Sequence, residues 1–307
     1  MTTDSIDPVA ANSIVVATDG SDDADRAVHW AAEQAFLERR PLTVVTAVHG
    51  PEVPTAAWSG MGAVYSWDPA QALVSARALA QEAADVALHL HPGLDVTVAA
   101  RIGDPRHVLV EISREVPLLV LGSRGRGVLR SKLLGSVSAA VSRDAGCPVV
   151  VCRPQRHGDR AQQGILVGAD GTPESLPVIE FAFQQASLTG LPLTVVHAVW
   201  DEIGAVHGPV MVSPRETGLD EYRVLLGESV AGISSKFPEV PVDLRLARGM
   251  AEDCLSDTSA VWDLIVVGRH PVDSLLRLVT GAVATSVVER SHTTVAVVPQ
   301  ADAPAES

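Results

Sequence analysis

The stretch Ser13–Ser21, SIVVATDGS, returns at Gly164–Thr172 as GILVGADGT, and that return decides the fold. In the first copy a short run rich in β-branched residues, Ser13 to Thr18, has the length of a buried strand. A helix start follows. Ser21 can cap it, Asp22 and Asp23 in the first turn suit the helix dipole, and Ala24, Ala27, Val28, Ala31 and Ala35 recur at helical spacing. In the second copy Thr172 and Pro173 predict the same start. Working outward, PLTVVTAV (41–48) returns as PLTVVHAV (192–199), PLLVLGSRG (117–125) as DLIVVGRHP (263–271), and CPVVVC (147–152) as TVAVVP (294–299). The order is kept and the offset stays near 150 residues, so the repeated unit is a whole domain. The expected organisation is a disordered arm over 1–12, a first domain over 13–153, a polar linker over 154–163, a second domain over 164–299 and a tail over 300–307.

Within a copy, further strands are predicted at Leu42–Val48, Asp95–Ala100, Leu118–Leu121 and Val149–Cys152, and helices near Pro69–Leu90, Pro105–Arg114 and Ser136–Asp144. Alternating strands and helices imply parallel pairing with right-handed crossovers. The expected fold class is α/β: two doubly wound, Rossmann-like domains in tandem, each on a parallel five-stranded sheet. With hydrophobic residues at 47% and aromatics at 4%, Ala, Val and Leu must fill the cores.

The formal net charge of −14 disfavours nucleic acid and anionic membranes as partners. No apolar run approaches the ~18–20 residues of a membrane span. The first residues lack the basic and apolar regions of a signal peptide, so a cytoplasmic location is expected. Cys147, Cys152 and Cys254 are odd in number and irregularly spaced; Cys147 and Cys152, in or beside an apolar strand, read as buried structural thiols, and no metal-ligand spacing appears.

Ligands of doubly wound sheets sit outside the carboxyl ends of the strands. Here those ends carry Ala17-Thr18-Asp19-Gly20, Thr46-Ala47-Val48 and Leu121-Gly122-Ser123-Arg124-Gly125. Gly122 and Gly125 let the backbone approach an anion closely. Gly135, Ser136 and Val137 place backbone N–H groups at a helix N-terminus, where phosphate is favoured. Between Gly122 and Gly135 stand Arg124, Arg126, Arg130 and Lys132 and no acid. Asp19 would repel phosphate and suits ribose hydroxyls instead, while Ala47 leaves room for a flat base. GxxxxGK[ST], kinase and GxSxG signatures are absent, and the glycine loop follows the fourth strand rather than the first, unlike a dinucleotide fingerprint.

These residues resemble the universal stress protein (UspA) family, in its tandem-domain, actinobacterial, ATP-binding form. The family's G-2x-G-9x-G-[S/T] motif stands as Gly122, Gly125, Gly135 and Ser136. The resemblance implies that Ala17 and Ala47 line an adenine pocket, that Asp19 holds the ribose, that Leu121, Gly122 and Gly125 border the nucleotide, and that Gly135, Ser136 and Val137 hold its phosphates. It implies pairing through the last strand of each copy, as a homodimer or as an intrachain pseudo-dimer. In the second copy Asp170, Ala198, Gly268, Arg269 and Gly281 would form a weaker site, because Pro271 and Ala282 replace the second glycine and the hydroxyl residue.

The expected function is an ATP-binding regulator, with Mg²⁺ as a candidate bridging ion and a protein partner yet to be named. No obvious general base stands in the motif, so enzymatic turnover is not expected to be efficient. A slow ATPase or autophosphorylating enzyme, using Asp19 or Asp104 and Ser136 or Ser138, is the alternative. A nucleotide-independent interaction module, presenting Trp58, Met61, Tyr65 and Trp67, is the third reading.

Overall fold

The computed structural model describes residues 7–50, 67–125, 134–154, 162–201, 204, 208–256, 261–270 and 277–301. The chain divides into two compact units, residues 1–129 with 135–141, and residues 130–134 with 142–307.

Among the described residues, unit 1 has four strands, β1 (Ile14–Ala17), β2 (Leu42–Val48), β3 (Val96–Ile102) and β4 (Leu118–Gly122). They pair in the order β3-β2-β1-β4, all parallel, with Ile14 against both Leu42 and Leu118. The apolar runs that predict β1 and β4 are buried on both faces, as parallel strands covered by helices must be. Helix α1 (Asp22–Glu38) starts where Ser21 accepts a hydrogen bond from the Ala24 N–H. Its predicted stripe of Ala24, Ala27, Val28, Ala31 and Ala35 is buried throughout. Such small side chains let the helix lie close to the sheet. Helices α2 (Pro69–Leu90), α3 (Pro105–Ile112) and α4 (Ser136–Asp144) follow, and the boundary between the units falls inside α4.

Unit 2 contains β5 (Val149–Cys152), β6 (Ile165–Gly168), β7 (Leu193–Val199), β8 (Val210–Met211), β9 (Val242–Arg248), β10 (Leu264–Arg269) and β11 (Thr294–Pro299). Strands β9-β7-β6-β10-β11 are parallel neighbours in that order, the same winding as in unit 1 carried to a fifth strand. Two antiparallel strands are added: the short β8 along β9, and β5 along β11 with Val150 opposite Ala296. Strand β5 belongs in sequence to the first copy, but it packs within unit 2. Helices α5 (Leu176–Thr189), α6 (Asp220–Ser234), α7 (Ala251–Ser256) and α8 (Arg277–Arg290) complete the unit. The α/β, doubly wound character expected from the repeats is therefore observed.

Several local expectations are corrected. Thr172 does not cap a helix as Ser21 does: its hydroxyl donates to Asp170 at 2.7 Å, a 3₁₀ turn runs over Pro173–Ser175, and α5 begins only at Leu176. The arm expected to be disordered is tied down from Asp7, whose carboxylate pairs with Arg77 and accepts the Ala100 N–H at 3.1 Å. The two-residue strand β8 has no counterpart among the predicted elements. Cys147 and Cys152 are buried, as expected of structural thiols.

Helix α3 is short and depends on its cap. Asp104 accepts the Arg106 N–H at 2.9 Å and also receives the Arg106 guanidinium. That side-chain hydrogen bond, above all, lowers the Asp104 carboxyl from 3.8 to about 2. Asp104→Ala is expected to cost about 0.5–2 kcal/mol, measured by denaturant titration at neutral pH. Because the folded-state value is depressed, the contribution is full above the ordinary carboxyl range and fades as pH falls through about 2. An Asp104→Ala chain as stable as wild type at pH 7 contradicts this assignment.

Candidate functional site

A cleft of about 730 Å³ opens at the carboxyl ends of the unit 1 strands. Its size falls in the range of small-molecule sites. Of the residues expected from sequence, these meet there: Ala17 and Asp19 at and after the end of β1, Ala47 near the end of β2, Leu121, Gly122, Arg124 and Gly125 at and after β4, and Gly135, Ser136 and Val137 at the start of α4. Sequence reasoning did not foresee Leu79 of α2, Leu109 of α3 or His49, which also line it. Leu79 and Leu109 carry only the helical apolar period, which does not separate a cleft wall from a core.

Each glycine has a distinct physical cause. Gly20 adopts φ +71° and turns the chain out of β1, and the Ser21 N–H then closes on Asp19 Oδ1 at 3.1 Å. A Cβ on Gly122 would lie 2.6–2.7 Å from the backbone of Asp23 and Ala24, so this glycine admits the first turn of α1 against β4. A Cβ on Gly125 would collide with Asp19 Oδ2, so this one brings the loop onto the carboxylate. The Gly135 N–H donates to the Ser123 carbonyl at 2.9 Å, which brings the two limbs of the glycine loop together. Gly135 in turn accepts the Ala139 N–H, leaving the first-turn N–H groups of α4 outside the helical ladder. Ser136 is exposed at that helix start, whereas Ser138 is buried and donates to the Gly122 carbonyl at 2.6 Å. Asp104 is engaged by Arg106 at the cap of α3. Arg126, Arg130 and Lys132 lie outside the described residues.

The second copy is built differently. Its cleft is about 150 Å³ and includes Asp170, Ala198, Gly268 and His270. Gln300 enters it, donating Nε2 to Asp170 Oδ2 at 3.0 Å. Burial acts to raise the Asp170 carboxyl, but hydrogen bonds from Thr172, Ser175 and Gln300 outweigh it and hold the group below its ordinary value. Arg269, expected at this site, is instead buried with its guanidinium on the Ala145 carbonyl. Gly281, expected to open a helix as Gly135 does, lies inside α8, which starts at Arg277. Its N–H therefore falls in the helical ladder rather than at an anion-binding end. The position of Thr46 is taken by His197, and both side chains bond the main-chain carbonyl after the first strand of their copy, at Thr18 and Ala169.

Trp67 is 39% exposed, while Trp58, Met61 and Tyr65, the other proposed anchors, lie outside the described residues. Among the described residues no helix is long and apolar enough to cross a membrane.

Winding order and cleft together define a tandem α/β protein whose first copy keeps an open pocket at the strand ends. The model of the universal stress protein family matches residues 11–153 and 163–299, and the chain belongs to that family. Relatives span nearly its whole length. Universal stress protein Rv2005c of Mycobacterium tuberculosis (strain H37Rv) is 33% identical over 311 residues, covering 95% of this chain and 99% of its own. A universal stress protein of Mycolicibacterium smegmatis is 32% identical over 292 residues, covering 93% and 96%. The crystal structure of a universal stress protein from Archaeoglobus fulgidus covers 95% of this chain and 97% of its own, with TM-score 0.66 and 20% identity. That structural likeness supports the fold alone.

Proposed function

We propose that the unit 1 cleft binds ATP and that the chain acts as a nucleotide-dependent regulator in the cytoplasm, in stress response or growth control. The observation that carries this reading is the convergence of Asp19, Ala47, the Gly122–Gly125 turn and the first turn of α4 on one cleft. The Asp19 carboxylate suits ribose hydroxyls, Ala17, Ala47 and Leu121 suit the base, and the α4 N–H groups suit phosphate oxygens. Arg124 supplies positive charge beside them. The engagement of Asp104 and Ser138 in structural hydrogen bonds weighs against turnover and favours binding.

In this reading the functional domains are 13–153 and 164–299, and the second cleft is weak or closed to nucleotide. The antiparallel ladder of β5 and β11 supports an intrachain pairing of the two last strands over a homodimer formed through them.

The test is mass spectrometry of small molecules released from freshly purified protein, followed by ATP titration with and without Mg²⁺. About one ATP per chain is expected. No released nucleotide together with no binding in the titration would overturn the reading, and two equivalent sites would overturn its assignment of the second cleft.

A further inference from the structure

The acids Asp22, Asp23 and Asp25 look alike in sequence, three carboxylates in the first turn of one helix. The structure separates them. Asp23 is 6% exposed, whereas Asp22 faces solvent. One oxygen of the Asp23 carboxylate pairs with Arg26 on its own helix. The other accepts the Ser123 hydroxyl and the Arg124 Nε–H, the latter at 3.1 Å, both from the residues directly after Gly122. A buried carboxylate is tolerated only when such partners replace its lost hydration. The glycine loop supplies two of the three.

We propose that Asp23 is a positioning residue for phosphate binding, setting the glycine loop from outside the glycine motif. This rests on the reading of the unit 1 cleft as an ATP site. The path is a continuous set of bonds. Asp23 holds the Ser123 side chain, the Ser123 carbonyl holds the Gly135 N–H at 2.9 Å, and the Gly122 carbonyl holds the Ser138 hydroxyl at 2.6 Å. The start of α4 is thereby fixed at both limbs of the loop. Arg124 is set by the same carboxylate. A guanidinium is a rigid planar fork with five donors, so holding Nε fixes the plane in which the other donors meet an anion. Ser21 adds a further tie from the α1 cap, its hydroxyl donating to the Arg124 carbonyl at 3.2 Å.

The second copy supplies a natural contrast. Glu174, Arg269 and His270 stand where the first copy has Asp23, Ser123 and Arg124. There Arg269 turns to the Ala145 carbonyl, and the Glu174 carbonyl accepts the Ala301 N–H at 3.0 Å. The copy without this arrangement is also the one whose cleft is small.

The arrangement acts on phosphates and leaves the base and ribose contacts alone, which gives a selective readout. ATP and adenosine binding are compared in wild type, Asp23→Asn and Ser123→Ala by ligand-detected NMR, which registers weak binders. Asp23→Asn is expected to weaken ATP about tenfold, or about 1.4 kcal/mol, and to leave adenosine within about twofold. Ser123→Ala removes one tie without changing the buried charge, keeps the fold, and is expected to move ATP in the same direction by less. Equal losses for both ligands overturn the proposal, since they mark a general packing role. So does ATP affinity unchanged in both variants. Should wild type itself bind no ATP, the reading of the cleft fails first, which separates that failure from the failure of the positioning role.

Discussion

A Gly122→Ala chain is expected to lose nucleotide affinity and unit 1 stability together, whereas Gly125→Ala loses affinity with little change in stability. The two differ in what a methyl group meets. At Gly122 it meets the backbone of Asp23 and Ala24 at 2.6–2.7 Å, and neither strand nor helix yields cheaply. Forcing α1 away from β4 is expected to cost about 1–3 kcal/mol, typical of overpacking. The same displacement moves Asp23 and with it the loop, so ATP affinity is expected to fall on the order of a hundredfold, about 2.8 kcal/mol. At Gly125 the methyl meets only the Asp19 carboxylate, the end of a side chain that can rotate aside. The fold survives that rotation, but the proposed ribose contact does not. Urea titration and ATP calorimetry on both variants check the pair. A Gly122→Ala chain of wild-type stability would contradict the close packing described here, and a Gly125→Ala chain with full affinity would remove Asp19 from the site.

The largest loss of stability is expected at Phe183→Ala. Phe183 is fully buried on α5, one of only four phenylalanines in the chain, and stacks on Phe237 with ring centroids 5.9 Å apart. Among the described residues, the other large, fully buried side chains of unit 2 are aliphatic, Ile165, Val178, Ile179 and Leu193 among them, and smaller than the ring that would be removed. Truncation therefore loses transfer free energy and leaves a cavity, together about 3–5 kcal/mol. The measurement is the denaturant midpoint of unit 2 at constant slope. A loss below about 1 kcal/mol would mean that the site collapses around the gap.

Much of the fold is legible because the repeat prints it twice. The apolar runs at Ser13–Thr18 and Leu42–Val48 mark strands by length and β-branching, and the glycine motif marks where the fourth strand gives way to a loop that lines the cleft. What escapes the sequence is set by contacts between distant residues. Two of the three partners that set Asp23 apart from Asp22, Ser123 and Arg124, lie about 100 positions away. Gly281 keeps the register of Gly135, but nothing local says that its helix begins at Arg277. Thr172 resembles a cap until its hydroxyl is seen to serve Asp170. The arm before Ser13 reads as loose because the partners of Asp7 lie on α2 and β3. Periodicity locates elements; it does not say which of several similar side chains meets a partner from another element.

The contact of Gln300 with Asp170 gives the second copy an internal occupant where the first copy has its proposed ligand site. On the proposed reading, the first cleft fills according to how much nucleotide the solution holds. In the second, the carboxamide belongs to Gln300, directly after β11, whose main-chain N–H is bonded to the Arg269 carbonyl at 2.9 Å. An attached donor of this kind acts at an effective concentration on the order of millimolar or above, whatever the solution contains. A molecule seeking Asp170 competes with an opponent that cannot be diluted. If the first cleft binds nucleotide as proposed, the asymmetry persists as ligand levels change, and one chain pairs a cleft that reports concentration with a cleft that stays constant.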